Sequence, residues 1–106
     1  MGHSTELPDV VAAAGRGESW ALTELYRAYQ APLLRYLRAQ APWAADDLAG
    51  DVWLAVARGL GAFTGDEYGF RGWLFTIARN RLIDHRRQST RRRTDLVATE
   101  RLELVV

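Results

Sequence analysis

The chain has no cysteine and no lysine among its 106 residues, and only two histidines, His3 and His85. Without thiols it forms no disulfide and carries neither a thiolate nucleophile nor a Cys-based metal site. His85 has no second ligand four residues along, so no metal is expected. Asp84 and His85 are adjacent and diverge by about 100° on a helix, which prevents them from acting as a catalytic dyad. Nucleophile elbows, phosphate loops and glycine fingerprints are all missing, so the expectation is a protein that is not an enzyme, with no cofactor and no small-molecule substrate. No apolar run approaches the roughly 20 residues of a membrane span, and no segment reads as a signal peptide. A cytoplasmic protein with no membrane partner is therefore expected.

What the chain does have is arginine, and its placement is uneven. All 14 basic side chains are Arg, and the formal charge is +1. From Arg71 to Arg93 there are eight Arg against one acid, Asp84, a net +7. Residues 1–70 carry −4 and residues 94–106 carry −2. A near-neutral total thus hides a strong dipole, and a basic segment with aromatics at its start suits a polyanion. Guanidinium forks bind phosphate bidentately and stack on bases.

Hydrophobic spacing predicts an all-α fold, a compact bundle of about four helices in one domain. A short first helix over Pro8 to Ala14 ends at Gly15 and Gly17. Ser19 is the expected N-cap of a second helix reaching Ala39, where Leu22, Leu25, Tyr26, Tyr29, Leu33, Tyr36 and Leu37 recur at helical spacing and Pro32 should introduce a kink. Ala41, Pro42 and Trp43 read as a turn. The third helix, Ala44 to Leu60, sets Leu48, Val52, Ala55, Val56 and Leu60 on one side, and Gly59 and Gly61 close it. A loop from Thr64 to Gly69 leads to a fourth helix from Phe70 to Arg93, with Phe70, Trp73, Leu74, Ile77, Ala78 and Leu82 on one face. Residues 1–9 are expected to be a flexible start or a cloning scar, residues 10–93 the helical domain, and residues 94–106 a linker remnant or a helical extension.

Two faces invite a function. Asp46, Asp47 and Asp51 open the third helix, where acids complement the helix dipole. Asp47 and Asp51 also repel each other at i, i+4 by roughly 0.2–0.5 kcal/mol, and they share an outward strip with Gly50, Leu54 and Arg58. An acidic strip holding an exposed leucine is either solvated surface or a protein-docking site. On the fourth helix Thr76, Arg79, Asn80, Ile83, Arg86 and Arg87 face outward. Trp73 at their border is either a core aromatic or a platform for an unpaired base, and Asn80 is a candidate base-edge reader.

The segment from Asp46 to Ala55 (DDLAGDVWLA), followed by Phe63-Thr-Gly-Asp66 and then by FRGWLFTIARNRLIDHRR from Phe70 to Arg87, resembles region 2 of bacterial extracytoplasmic-function (ECF) sigma factors. Leu25 to Tyr29 and Leu33 to Arg38 are similar to the earlier helices of that domain, and the likeness runs from about Val10 to Arg93. It implies the sigma region 2 fold and a transcription-initiation role with two partners. Asp47, Asp51 and Leu54 would bind the β′ clamp helices of core RNA polymerase. The loop and fourth helix would recognise and melt the promoter minus-ten element by capturing bases of the single, non-template strand of promoter DNA. Phe63, Gly65, Asp66, Trp73, Thr76, Asn80 and Ile83 would form that DNA-binding site, with Arg79, Arg86 and Arg87 on phosphates. An anti-sigma factor is a further implied partner.

Two departures from the pattern stand out. Gly50 replaces the Gln common before the second acid, which costs about 1 kcal/mol of helix stability relative to Ala and removes a polar contact. The helix-turn-helix of region 4, reader of the minus-thirty-five element, has no counterpart in the 13 residues after Arg93, so an excised or truncated domain is expected. Rival readings are a small basic helical adaptor or anti-sigma-like module for an acidic protein, and a generic binder of RNA or DNA with strong salt dependence and no sequence preference.

Overall fold

The computed structural model describes residues 7–105, with the side chains of 10–66 and 68–98. The expected flexible start at residues 1–9 lies for its first six residues outside the described part. Four α-helices follow one another: α1 (Leu7–Gly15), α2 (Ser19–Gln40), α3 (Ala45–Gly59) and α4 (Glu67–Val105), with a 3₁₀ turn, Leu60–Ala62, between the last two. Among the described residues there is no strand, and no helix is long and apolar enough to cross a membrane.

One core joins the helices, and the sequence periodicity explains its membership. Leu25, Tyr29, Leu33 and Leu37 repeat every fourth residue along α2, Leu48, Val52 and Val56 along α3, and Phe70, Leu74, Ala78 and Leu82 along α4, and all are buried. Spacing of four keeps side chains on one slowly drifting stripe, which is what a helix needs to bury a single face. α1 adds Val10, Val11, Ala13 and Ala14. Each large apolar side chain so buried contributes about 1.5–3 kcal/mol, more than the propensity cost of any single glycine in these helices.

Element ends show where local chemistry differs from the expectation. α1 closes in a Schellman turn, with Glu18 N–H on the Ala13 carbonyl at 3.1 Å and Gly17 N–H on that of Ala14 at 3.0 Å. Ser19 is not the cap of α2. It is the first helical residue, and Glu18 stands at the cap with no side-chain capping bond. Glu18 is engaged instead with Arg16 and with the Trp20 indole. α2 runs unbroken across Pro32 to Gln40.

α4 starts at Glu67, three residues before the expected Phe70, because Asp66 caps it. The Asp66 carboxylate accepts the Gly69 N–H at 2.9 Å, and its carbonyl accepts that of Phe70 at 2.8 Å. The helix then continues through Arg93 to Val105 without a break, 39 residues in all. At 1.5 Å per residue that is about 58 Å, and Leu82 is its last buried side chain among the described residues. The second half of α4 therefore projects from the bundle, giving overall extents of 73 × 25 × 20 Å.

Candidate functional site

The outward strip of α3 is built by exclusion. Ala45, Leu48, Ala49, Val52 and Val56 take the core side, which leaves Asp47, Gly50, Asp51 and Leu54 exposed. Leu54 is 50% exposed. Asp46, also exposed, forms a 3.4 Å ion pair with Arg38 of α2. Asp47 and Asp51 make no ion pair among the described residues, so their charge is available to a partner while that of Asp46 is partly spent. Beside this strip is a second apolar feature that periodicity alone did not single out. Trp53 is half-buried between the helices, its indole donating to Gln30 Oε1 at 2.6 Å and its ring 5.3 Å from that of Tyr26. Together with Leu22 and Thr23 these rings line a shallow groove between α2 and α3. Trp53 is offset by 100° from Leu54, and an alternating small residue, Gly50, separates the two. Leu22 and Tyr26 belong to the periodic face of α2, and a tryptophan just off the core stripe of α3 is the further sequence signal that points to it.

The loop from Phe63 to Asp66 is organised around aromatic packing. Phe63 stacks on Trp73 at a ring distance of 4.8 Å and 22° between planes, and meets Phe70 edge-on at 6.3 Å. Trp73 is also 6.1 Å from Phe70, edge to face. Two glycines make this possible. A Cβ on Gly65, at φ +154°, would lie 3.0 Å from Phe63 Cζ, and one on Gly59 would lie 2.8 Å from Trp73 Cζ2. Phe63, Gly65, Asp66 and Trp73, part of the DNA-binding site that the resemblance implies, are thus brought together. Phe63 and Trp73 are turned on each other, and Asp66 doubles as the helix cap.

Along α4 beyond Trp73, Thr76, Arg79, Asn80, Arg86 and Arg87 are exposed and Ile83 is half-buried. They lie within about 120° of one another around the helix. Ile83, Arg86, Arg87, Thr90 and Arg91 line a shallow concavity on it. Thr90 and Arg91 extend the face by one turn past the residues picked out by spacing. Among the described residues, none of the arginines of α4 is in a salt bridge. Arg86 donates to Gln40 Oε1 at the end of α2 at 2.6 Å. Among the described residues the positive charge of this face thus has no salt-bridge partner, in a surface that presents amide, hydroxyl and guanidinium donors in a row. Such a row fits a phosphate-bearing polymer and its base edges.

Comparison with known proteins agrees with this arrangement of an acidic helix, an aromatic loop and a basic helix. The chain is 34% identical over 102 residues to the ECF RNA polymerase sigma factor BldN of Streptomyces coelicolor, an alignment that takes in 94% of this chain and 38% of that protein. It thus spans about two fifths of the length of that curated relative. No solved structure matches it. Residues 25–92, which hold α3, the loop and the basic face of α4, match the family described as Sigma-70 region 2, and the chain belongs to that family.

Proposed function

We propose that this domain acts in transcription initiation by binding two partners, core RNA polymerase and promoter DNA. Asp47, Asp51 and Leu54 dock on the β′ clamp helices. The loop Phe63–Asp66 and the α4 face of Trp73, Thr76, Asn80 and Ile83 recognise the minus-ten element and hold bases of the melted non-template strand, while Arg79, Arg86 and Arg87 take its phosphates. The domain performs no bond chemistry. It stabilises unstacked bases against a cost of a few kcal/mol, and the polymerase does the synthesis. An anti-sigma factor is the natural antagonist, since covering either face would block initiation.

The observation that carries this reading is the separation of unpaired charge within a family member. Among the described residues, two exposed acids in no ion pair share a strip of α3 with an exposed leucine, and the arginines of α4 are in no salt bridge. The sequence matches support the same role, because the relative's name is that of an RNA polymerase sigma factor. The test is retention of this domain by purified bacterial core RNA polymerase, beside an Asp47→Arg, Asp51→Arg double variant whose helicity is verified by circular dichroism. Wild type is expected to be retained and the folded variant lost. Equal retention of both removes the acidic strip from the interface.

A further inference from the structure

The loop assigned to base capture offers few free aromatic faces. Phe63 and Trp73 are stacked on each other at 4.8 Å, Phe70 is fully buried, and the Trp73 ring abuts the Gly59 backbone. One aromatic at this end of the bundle is open. Tyr68, in the first turn of α4, is 84% exposed, two residues past the cap Asp66, and its ring has no aromatic or hydrogen-bonding partner among the described residues.

The surroundings of Tyr68 suit a flat ligand. Arg71 at i+3 and Gly72 at i+4 are its neighbours on the helix surface, and both are exposed. A Cβ on Gly72 would meet nothing within 4 Å. Tyr68 is thus followed, one helical turn on, by an exposed guanidinium and by a position with no side chain, which leaves the helix surface beside it open. A tyrosine presents a wide, rigid π-face at little entropic cost, every nucleobase has a π-face to match it, and an adjacent arginine supplies the phosphate contact.

We propose that Tyr68 is the stacking platform for an unpaired base of single-stranded DNA, with Arg71 on that nucleotide's phosphate. This rests on the base-capture reading above and adds to it a residue that reading leaves out. The Phe63–Trp73 stack then serves as the packed wall that fixes the loop, and the base against Tyr68 is a neighbour of the one the loop takes.

The experiment is a selection of this 106-residue chain against a randomised single-stranded DNA pool, followed by fluorescence anisotropy with the selected oligonucleotide. Wild type, Tyr68→Ala and Tyr68→Phe are compared, each on the intact oligonucleotide and on a set with one abasic position at a time. Tyr68→Ala is expected to bind about 5- to 150-fold more weakly, with its helicity by circular dichroism unchanged, and Tyr68→Phe to bind as wild type. One abasic position should weaken binding to wild type and have no effect on Tyr68→Ala. Wild-type affinity in Tyr68→Ala, or the same abasic profile in both proteins, overturns the stacking role and leaves base capture standing. A pool in which wild type enriches no sequence overturns base capture and the Tyr68 platform together.

Discussion

The Trp73 indole lies so close to the backbone of Gly59 that the two helices α3 and α4 meet there with no room for a side chain. A Cβ on Gly59 would stand 2.8 Å from Cζ2 and 3.3 Å from Cη2. Gly59 therefore does more than end α3. It admits the ring that Phe63 stacks upon, so the backbone of one helix sets the position of the loop that follows it. With the Gly59 backbone at the indole tip and Phe63 on its face, the ring can yield only by giving up the stack with Phe63.

Gly59→Ala is accordingly expected to destabilise the domain by about 1–3 kcal/mol, an overpacking cost larger than the roughly 0.5–1 kcal/mol that alanine returns through helix propensity. Urea denaturation gives the sign. The indole N–H resonance of Trp73 should shift with it, and an unchanged resonance with raised stability would show that the ring moves aside without cost.

Asp66 is expected to act first as a cap. Its carboxylate bonds the Gly69 N–H, so Asp66→Ala should cost about 0.5–2 kcal/mol, and Asp66→Ser, which retains a capping oxygen, should recover most of it in the same denaturation series. If Asp66→Ser is as unstable as Asp66→Ala, the carboxylate contributes through something other than the cap.

Much of this arrangement is legible in the chain, for identifiable reasons. The core stripes of α2, α3 and α4 follow from residues spaced by four, since burial of one face imposes that period and little else competes with it. The Asp47, Asp51 and Leu54 strip follows in turn, as what the core leaves outside. The start of α4 is less legible. Gly65-Asp-Glu-Tyr-Gly69 has the composition of a loop, and only the bond from Gly69 to Asp66 turns its last three residues into a helical turn. That misplacement also hid Tyr68 as a helix-surface residue. Ser19 misleads in the opposite way, because a good capping residue one position too late leaves the cap to Glu18. The inward turn of Phe63 onto Trp73 has no local signal at all, since it depends on two glycines, Gly59 and Gly65, being bare at the right point in space.

Gly50 offers a gain in stability without a structural cost. It is exposed in the middle of α3, and a Cβ there meets nothing within 4 Å. Gly50→Ala should stabilise the domain by about 0.5–1 kcal/mol, read as a higher urea midpoint at unchanged slope. Retention by core RNA polymerase should be unaltered. A loss of retention in the stabilised protein would mean that the partner approaches the bare backbone of α3 between Asp47 and Asp51, a contact that only glycine permits.

Arg86 and Arg87 are neighbours in sequence with different surroundings, and they should separate experimentally. Arg86 reaches back to Gln40 at 2.6 Å, a tie between the end of α2 and the point where α4 leaves the bundle. Arg87 points along the exposed face with Thr90 and Arg91. Arg87→Ala is expected to leave stability within about 0.5 kcal/mol of wild type and to lower the slope of log affinity against log salt for single-stranded DNA by about 0.7, the loss of one phosphate contact. Arg86→Ala should reduce stability by about 0.5–1.5 kcal/mol, since a hydrogen bond is lost, and Gln40→Ala should reproduce that loss. The DNA readout then decides what the tie is for. If Gln40→Ala leaves the salt slope unchanged, Arg86 reaches phosphate only when released from Gln40, and the variant should bind DNA slightly more tightly. If Gln40→Ala weakens DNA binding as much as Arg86→Ala does, the tie aims the guanidinium, and Gln40 belongs to the DNA face through Arg86.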